Sequence, residues 1–178
     1  MMYQANIELN GQLLHGTLDF YVLHQVQHEL KKMGRNITIP QIFEAISKED
    51  FECIFMIFIC SLNRISGFSI KEIEILSRAN IDKNESIDWR ASCYMDQYRY
   101  LNDLFEACLV VNVQGEESEF EDIPLSSSDD WNFSWLEYQW MSVLQRDNFW
   151  SITPKNFMQQ LEAHQKYKGI KKESFEEL

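Results

Sequence analysis

Ser47-Lys48-Glu49-Asp50, followed by Phe51-Glu52-Cys53-Ile54-Phe55-Met56-Ile57-Phe58-Ile59-Cys60-Ser61-Leu62, is the stretch on which the fold turns. Ser47 reads as a restart of the chain, with Glu49 and Asp50 in a first helical turn where negative charge suits the dipole. Phe51 to Leu62 is apolar nearly all round, the pattern of a central buried helix. Ile and Phe also favour strands, so a buried strand competes. The acidic first turn and the length favour helix. The unbroken apolar run, Cys53 to Cys60, is eight residues long. A bilayer needs about 20 in a helix, so no membrane span is expected.

Towards the N-terminus, Tyr3, Ala5, Ile7 and Leu9 alternate with polar residues, the period of a half-buried strand. Asn10-Gly11 is a strong hairpin signal, because both turn positions need positive φ. Gln12 to His15 is then the return strand, ending at Gly16. Thr17 is the expected N-cap of a helix carrying Leu23, Val26, Leu30 and Met33 on one face. Lys31 and Lys32 suit its C-terminal end, and Gly34 can take the left-handed position that closes it. Ile39-Pro40 opens a short helix that buries Ile42, Phe43 and Ile46.

Towards the C-terminus, Ser69-Ile70-Lys71-Glu72 is a capping-box pattern, with Ile70, Ile73 and Leu76 or Ser77 on one face. Asn80 to Ser86 is a polar break. A long helix is predicted from about Asp88 to Val113, with Tyr94, Tyr98, Leu101, Phe105, Cys108 and Leu109 as its stripe. Gln114 to Asp130 then holds seven acidic residues and no Lys or Arg. Net charge is −5 over residues 1–113, −7 over this stretch and 0 over 131–178. So few apolar groups cannot offset ordering entropy, which makes the stretch a linker.

Residues 131–150 hold four of the chain's five tryptophans, Trp131, Trp135, Trp140 and Trp150, together with Phe133, Tyr138 and Phe149. Trp131 and Trp135 lie one helical turn apart. Leu136, Trp140, Val143 and Leu144 form a second stripe. Thr153-Pro154 supplies N-cap and first-turn proline for a last helix bearing Phe157, Met158 and Leu161, running to about Lys168 and closed by Gly169. The tail from Ile170 mixes charge and reads as frayed. The expected fold is therefore mostly α, a helical bundle of five to seven helices with a small N-terminal β-hairpin and a C-terminal aromatic-rich helical extension. Three parts are expected: a helical domain over 1–113, an acidic linker over 114–130 and an aromatic-rich helical unit over 131–178.

The chemistry-bearing residues are few. A net charge of −12 repels phosphate backbones and argues against general nucleic-acid binding. The N-terminus has neither a basic start nor an apolar core, so no secretory signal is expected. Cys53, Cys60, Cys93 and Cys108 form no Cys-x-x-Cys pair and read as buried, reduced thiols of a cytoplasmic protein. His24 and His28 are spaced as a metal pair, but Gln25, Val26 and Gln27 stand between them and no third ligand is evident. Adjacent carboxylates at Glu116-Glu117 and Asp129-Asp130 sit on a linker, poor geometry for acid–base work. No phosphate loop, dinucleotide fingerprint or nucleophile elbow occurs, so no catalytic residue, metal site or cofactor is expected. The unusual feature is the aromatic cluster. Four tryptophans in twenty residues carry more ring area than two short helices bury alone. The cluster either docks on residues 1–113 or meets another protein. Trp131, Trp135, Tyr138, Trp140, Phe149 and Trp150 are the candidate partner-binding residues, because Trp and Tyr dominate interface hot spots.

The order of segments resembles the tail assembly chaperones of long-tailed bacteriophages, chiefly those of Gram-positive hosts. The likeness rests on Ile7-Glu8-Leu9-Asn10-Gly11 to Leu18-Asp19-Phe20 with the helix continuing to Met33-Gly34-Arg35, and on Ser47 to Leu62. It rests most on Asp130-Trp131-Asn132-Phe133, Leu136-Glu137-Tyr138, Trp140 and Phe149-Trp150-Ser151-Ile152-Thr153-Pro154. That last element is similar to the aromatic-then-Thr-Pro ending of the family's C-terminal extension. The resemblance implies a cytoplasmic, non-enzymatic assembly factor of an infected or prophage-bearing bacterial host, acting through protein–protein interaction. Its implied partners are the tape-measure protein, kept soluble as an apolar-striped helix, and the tail tube protein, recruited by a tethered C-terminal unit. Neither nucleic acid nor membrane is an expected partner, and self-association is compatible with the sequence. Two other readings stand beside this one. The first is an acidic interaction or inhibitory module that mimics nucleic acid and acts on a basic host protein. The second is a small metal-dependent enzyme working through His24 and His28.

Overall fold

The computed structural model describes residues 5–82, 87–109 and 130–168, with backbone alone for 78–82 and 87–94. In chain order the elements are β1 (Ala5–Leu9), β2 (Gln12–Gly16), α1 (Phe20–Lys32), α2 (Ile39–Ser47), α3 (Phe51–Ser66), α4 (Ile70–Asp82), α5 (Ile87–Cys108), α6 (Phe133–Tyr138) and α7 (Pro154–Tyr167). A π-helical turn, Gln139–Val143, continues α6, and a 3-10 turn, Phe149–Ser151, precedes α7. The chain is mostly α with one small N-terminal hairpin. Among the described residues no single helix is long and apolar enough to cross a membrane.

In the hairpin, Leu9 pairs with Gln12 and Ala5 with Gly16. Asn10 and Gly11 both take positive φ, 52° and 78°, as the two-residue turn requires. Ala5, Ile7, Leu9 and Leu14 face the core. The core helix is α3. Cys53, Ile57, Phe58, Ile59, Cys60, Ser61 and Leu62 are all buried, on more than one face of the helix. Ser47, however, does not begin it. Ser47 ends α2, and Glu49 turns the chain at φ 61°. Asp50 caps α3 by accepting from the N–H groups of Glu52 and Cys53, both at 3.1 Å. Arg35 holds the same carboxylate in a fork, 2.8 and 2.7 Å, so capping and ion pairing select Asp50 together. Phe51, in the first turn, is left 74% exposed.

The cap of α1 is also not the one expected. Asp19 accepts from the Val22 N–H at 2.9 Å. Thr17 is buried and donates its N–H to the Ser61 carbonyl. A buried carboxylate two residues on, paired with Arg64, takes the role. Phe20, Val22, Leu23, Val26 and Leu30 form the buried face, whereas Met33 lies past the last turn and is exposed. Gly34 closes the helix at φ 87°. The capping boxes of α2 (Thr38 with Gln41) and α4 (Ser69 with Glu72) are both formed.

Three boundaries or faces differ from expectation. α4 runs through Asp82, into the polar stretch, while residues 83–86 lie outside the described residues. α5 stops at Cys108 rather than near Val113, as the chain reaches β-branched valines of weak helix preference. The stripe of α5 departs at one described position: Leu101, Cys108 and Leu109 are buried and Phe105 is half-buried, as expected, Tyr100 and Leu104 join them, and Tyr98 is 52% exposed. Tyr100 takes the place expected of Tyr98. Its hydroxyl shares a hydrogen bond with Ser61 Oγ at 2.8 Å and rests against the Cα of Gly16. A Cβ at position 16 would lie 1.7 Å from that hydroxyl. Gly16 therefore gives Tyr100 its seat beneath the hairpin. The side chains of Tyr94 and Cys93, the acidic stretch up to Asp129, and the chain from Gly169 lie outside the described residues.

Candidate interaction surface

Phe20, at the start of α1, is fully buried and meets four rings of the C-terminal unit. It stacks on Phe149 at 4.6 Å between centroids. It meets Trp131, Phe133 and Phe157 edge-on at 6.1, 6.2 and 5.8 Å. Trp131 reaches on to Phe43 of α2, and Trp140 lies against Phe157. Offset and edge-on pairs of this kind each add about 0.5–1.5 kcal/mol beyond burial. The unit from Trp131 to Phe157 is thus part of the same core as the hairpin and α3.

Polar groups fix its register. Asp130 Oδ1 accepts from the N–H groups of Ile39 and Trp131, both at 2.9 Å, and Oδ2 accepts from Gln27 Nε2 at 2.5 Å. Phe20 N–H donates to the Ile152 carbonyl at 3.0 Å. Arg64 of α3 pairs with Asp19 at 2.9 Å, donates to Ser151 Oγ at 3.3 Å and lies over the Tyr21 ring. Burial pushes the Asp19 carboxyl above its ordinary value, against the pull of the Val22 N–H and of Arg64. Lys155 Nζ donates to the Glu106 carbonyl near the end of α5.

The six candidate residues separate into two groups. Trp131, Trp140 and Phe149 are buried, and Trp150 is half-buried. Trp140 donates its indole N–H to the Asp147 carbonyl at 2.9 Å, and Trp150 donates to Glu137 at 3.0 Å. Trp135 and Tyr138 are each 53% exposed, and their rings stack on one another at 5.5 Å. Trp131 and Trp135 therefore do not share a helical face. Asn132 caps α6 by accepting from Trp135 N–H at 3.0 Å, so Trp131 precedes the helix and turns inward.

The π turn follows α6 directly. Leu144 N–H bonds the Gln139 carbonyl five residues back, and Arg146 N–H the Trp140 carbonyl. The widened turn carries Trp140 into the core and leaves Met141 and Val143 half-exposed, next along the chain from Tyr138. Val143 is thus outside the stripe expected to hold it. Gln145 and Asn148, neither of them glycine, take positive φ at 53° and 61°. Wide turns and left-handed residues of this kind gather where a side chain must be aimed. Here they hold or flank Trp140 and Phe149, which enter the core, while Trp135 and Tyr138 on the preceding α6 stay half-exposed.

The remaining sequence candidates are placed elsewhere. His24 and His28 are both exposed, and His24 lies edge-on to Phe133 and Trp150. Among the described residues no group of three metal-ligating side chains is close enough to hold an ion. Burial pushes the thiols of Cys53, Cys60 and Cys108 up to about 11, 12 and 12, so each is held protonated. Sequence reasoning did not single out Phe20, Asp19 or Arg64 as the groups that seat the unit. Phe20 lies just past a capping position, which was its available signal. No family model, curated protein or solved structure matches the chain.

Proposed function

We propose that this chain is a non-enzymatic phage tail assembly chaperone, one that binds the tape-measure protein, keeps it soluble and recruits the tail tube protein. The observation carrying the reading is the stacked Trp135–Tyr138 pair, half-exposed on a unit whose other aromatic rings are buried. A rigid pair of large rings held in water costs solvation, and such pairs are the usual anchors of protein interfaces. The half-exposed Met141 and Val143 lie close to it in sequence. The segment order of the hairpin, α1, α3 and the Thr153-Pro154 ending supports the tail-chaperone identity by resemblance.

The test is co-expression with the long helical protein encoded just downstream, followed by pull-down. The expected result is that this protein stays soluble and co-purifies only with the wild-type chain. Trp135→Ala/Tyr138→Ala should abolish co-purification while leaving the unfolding midpoint within about 3 °C, since half-exposed rings add little to stability. A downstream protein indifferent to this chain would overturn the reading, and salt-dependent capture of a basic host protein would then favour the acidic-module alternative.

A further inference from the structure

We infer that Asp130 is a latch: an exposed clasp that holds the aromatic unit closed over Phe20, about which the unit opens and closes as one piece. The inference does not depend on the identity of any partner. Three features carry it. The Asp130 carboxylate collects donors from two distant segments, the Gln27 side chain of α1 and the Ile39 N–H that opens α2, and from the N–H of its own neighbour Trp131. Two of these partners lie 103 and 91 residues away in sequence. Asp130 is exposed, whereas the rings it secures, Trp131, Phe149 and Phe157, are buried. Finally, among the described residues the unit is also tied to α1, α3 and α5 by hydrogen bonds through Ile152, Ser151 and Lys155.

Hydrogen bonds to a charged acceptor are the strong ones, and each shifts a docking equilibrium by roughly tenfold. Opening the clasp frees the Ile39 N–H and the Gln27 amide to water at the surface. The cost of the open state is then chiefly the rings bared on both sides, Phe20 and Phe43 beneath and Trp131, Phe149 and Phe157 on the unit. The unit is therefore a strap over an aromatic face of α1 and α2, and Asp130 sets how often that face is seen.

The test is hydrogen–deuterium exchange on the full chain. In Asp130→Ala, peptides covering residues 133–144 and 154–167 should exchange at least about tenfold faster, together, while those from α3 are unchanged. Gln27→Met removes one donor, which also serves the Ile37 carbonyl at 3.1 Å, and leaves the Asp130 carboxylate, so the same two segments should accelerate by a smaller factor. This milder variant decides the matter if Asp130→Ala does not fold. Acceleration of α3 to the same extent, or no acceleration of the two segments in either variant, would overturn the latch.

Discussion

Replacing Phe20 by Ala tests whether the C-terminal unit belongs to the main core. The ring is fully buried and meets Phe149, Trp131, Phe133 and Phe157 at centroid distances of 4.6, 6.1, 6.2 and 5.8 Å. A buried Phe→Ala change costs about 3–5 kcal/mol in lost transfer and cavity energy. With four ring partners the upper half of that range applies, about 4 kcal/mol. Loss of this order lowers the midpoint by roughly 10 °C. Urea unfolding should be followed by two probes. Tryptophan emission reports residues 131–150, which hold four of the five indoles. Far-ultraviolet circular dichroism reports all the helices. In the wild type the two curves should coincide. In Phe20→Ala emission should shift at lower urea than helicity, because the rings of the unit lose their common partner. A double-mutant cycle with Phe149→Ala should return a coupling of about 1 kcal/mol. If Phe20→Ala costs less than about 1 kcal/mol and both probes still coincide, the ring is no hub and the reasoning fails.

Further expectations follow from other contacts. Gly16→Ala should destabilise by about 1–3 kcal/mol, because the new methyl overlaps the Tyr100 hydroxyl; Tyr100→Phe in the same chain should recover part of that loss, as thermal melts of the pair will show. The Arg35 guanidinium holds the Asp50 carboxyl well below the usual carboxylate range. Its stabilising contribution is therefore complete above the ordinary aspartate value near 3.8 and is lost as pH falls below it. Melts between pH 5 and pH 2.5 should show that slope, and Arg35→Met should flatten it. Cys53, Cys60 and Cys108 should resist iodoacetamide at pH 8 in native protein and react once it is unfolded, as read by peptide mapping.

Much of this arrangement was legible because it depends on neighbours in sequence. Asn10-Gly11 demanded a turn, Thr153-Pro154 a helix start and Ser69 with Glu72 a capping box, and each is formed. The misplaced features depend on distant partners. Asp50 displaces Ser47 as a helix start because Arg35, 15 residues earlier, grips it. Tyr100 displaces Tyr98 from the core because Ser61 and Gly16 receive its hydroxyl. In the interaction surface, composition gathered the right rings but not their directions. A period of 3.6 aligns Trp131 with Trp135, yet the Asn132 cap between them starts the helix after Trp131, which turns inward while Trp135 stays half-exposed.

The contacts between α1 and the aromatic unit also impose an order in time. Phe20 leaves the ribosome with the first helix, but Phe149 and Phe157 are added more than a hundred residues later. At about 5–20 residues per second, the nascent chain carries an uncovered Phe20 for roughly 6–30 s. Helices α2 to α5 are made during that interval, and the hairpin with α1 to α5 must then stay soluble without its last layer while residues 109–157 are added, over about 2–10 s. Translation pauses within residues 110–130 would lengthen the exposure, and faster synthesis would shorten it. The yield of soluble protein should therefore respond to codon speed in that stretch, though no residue there changes.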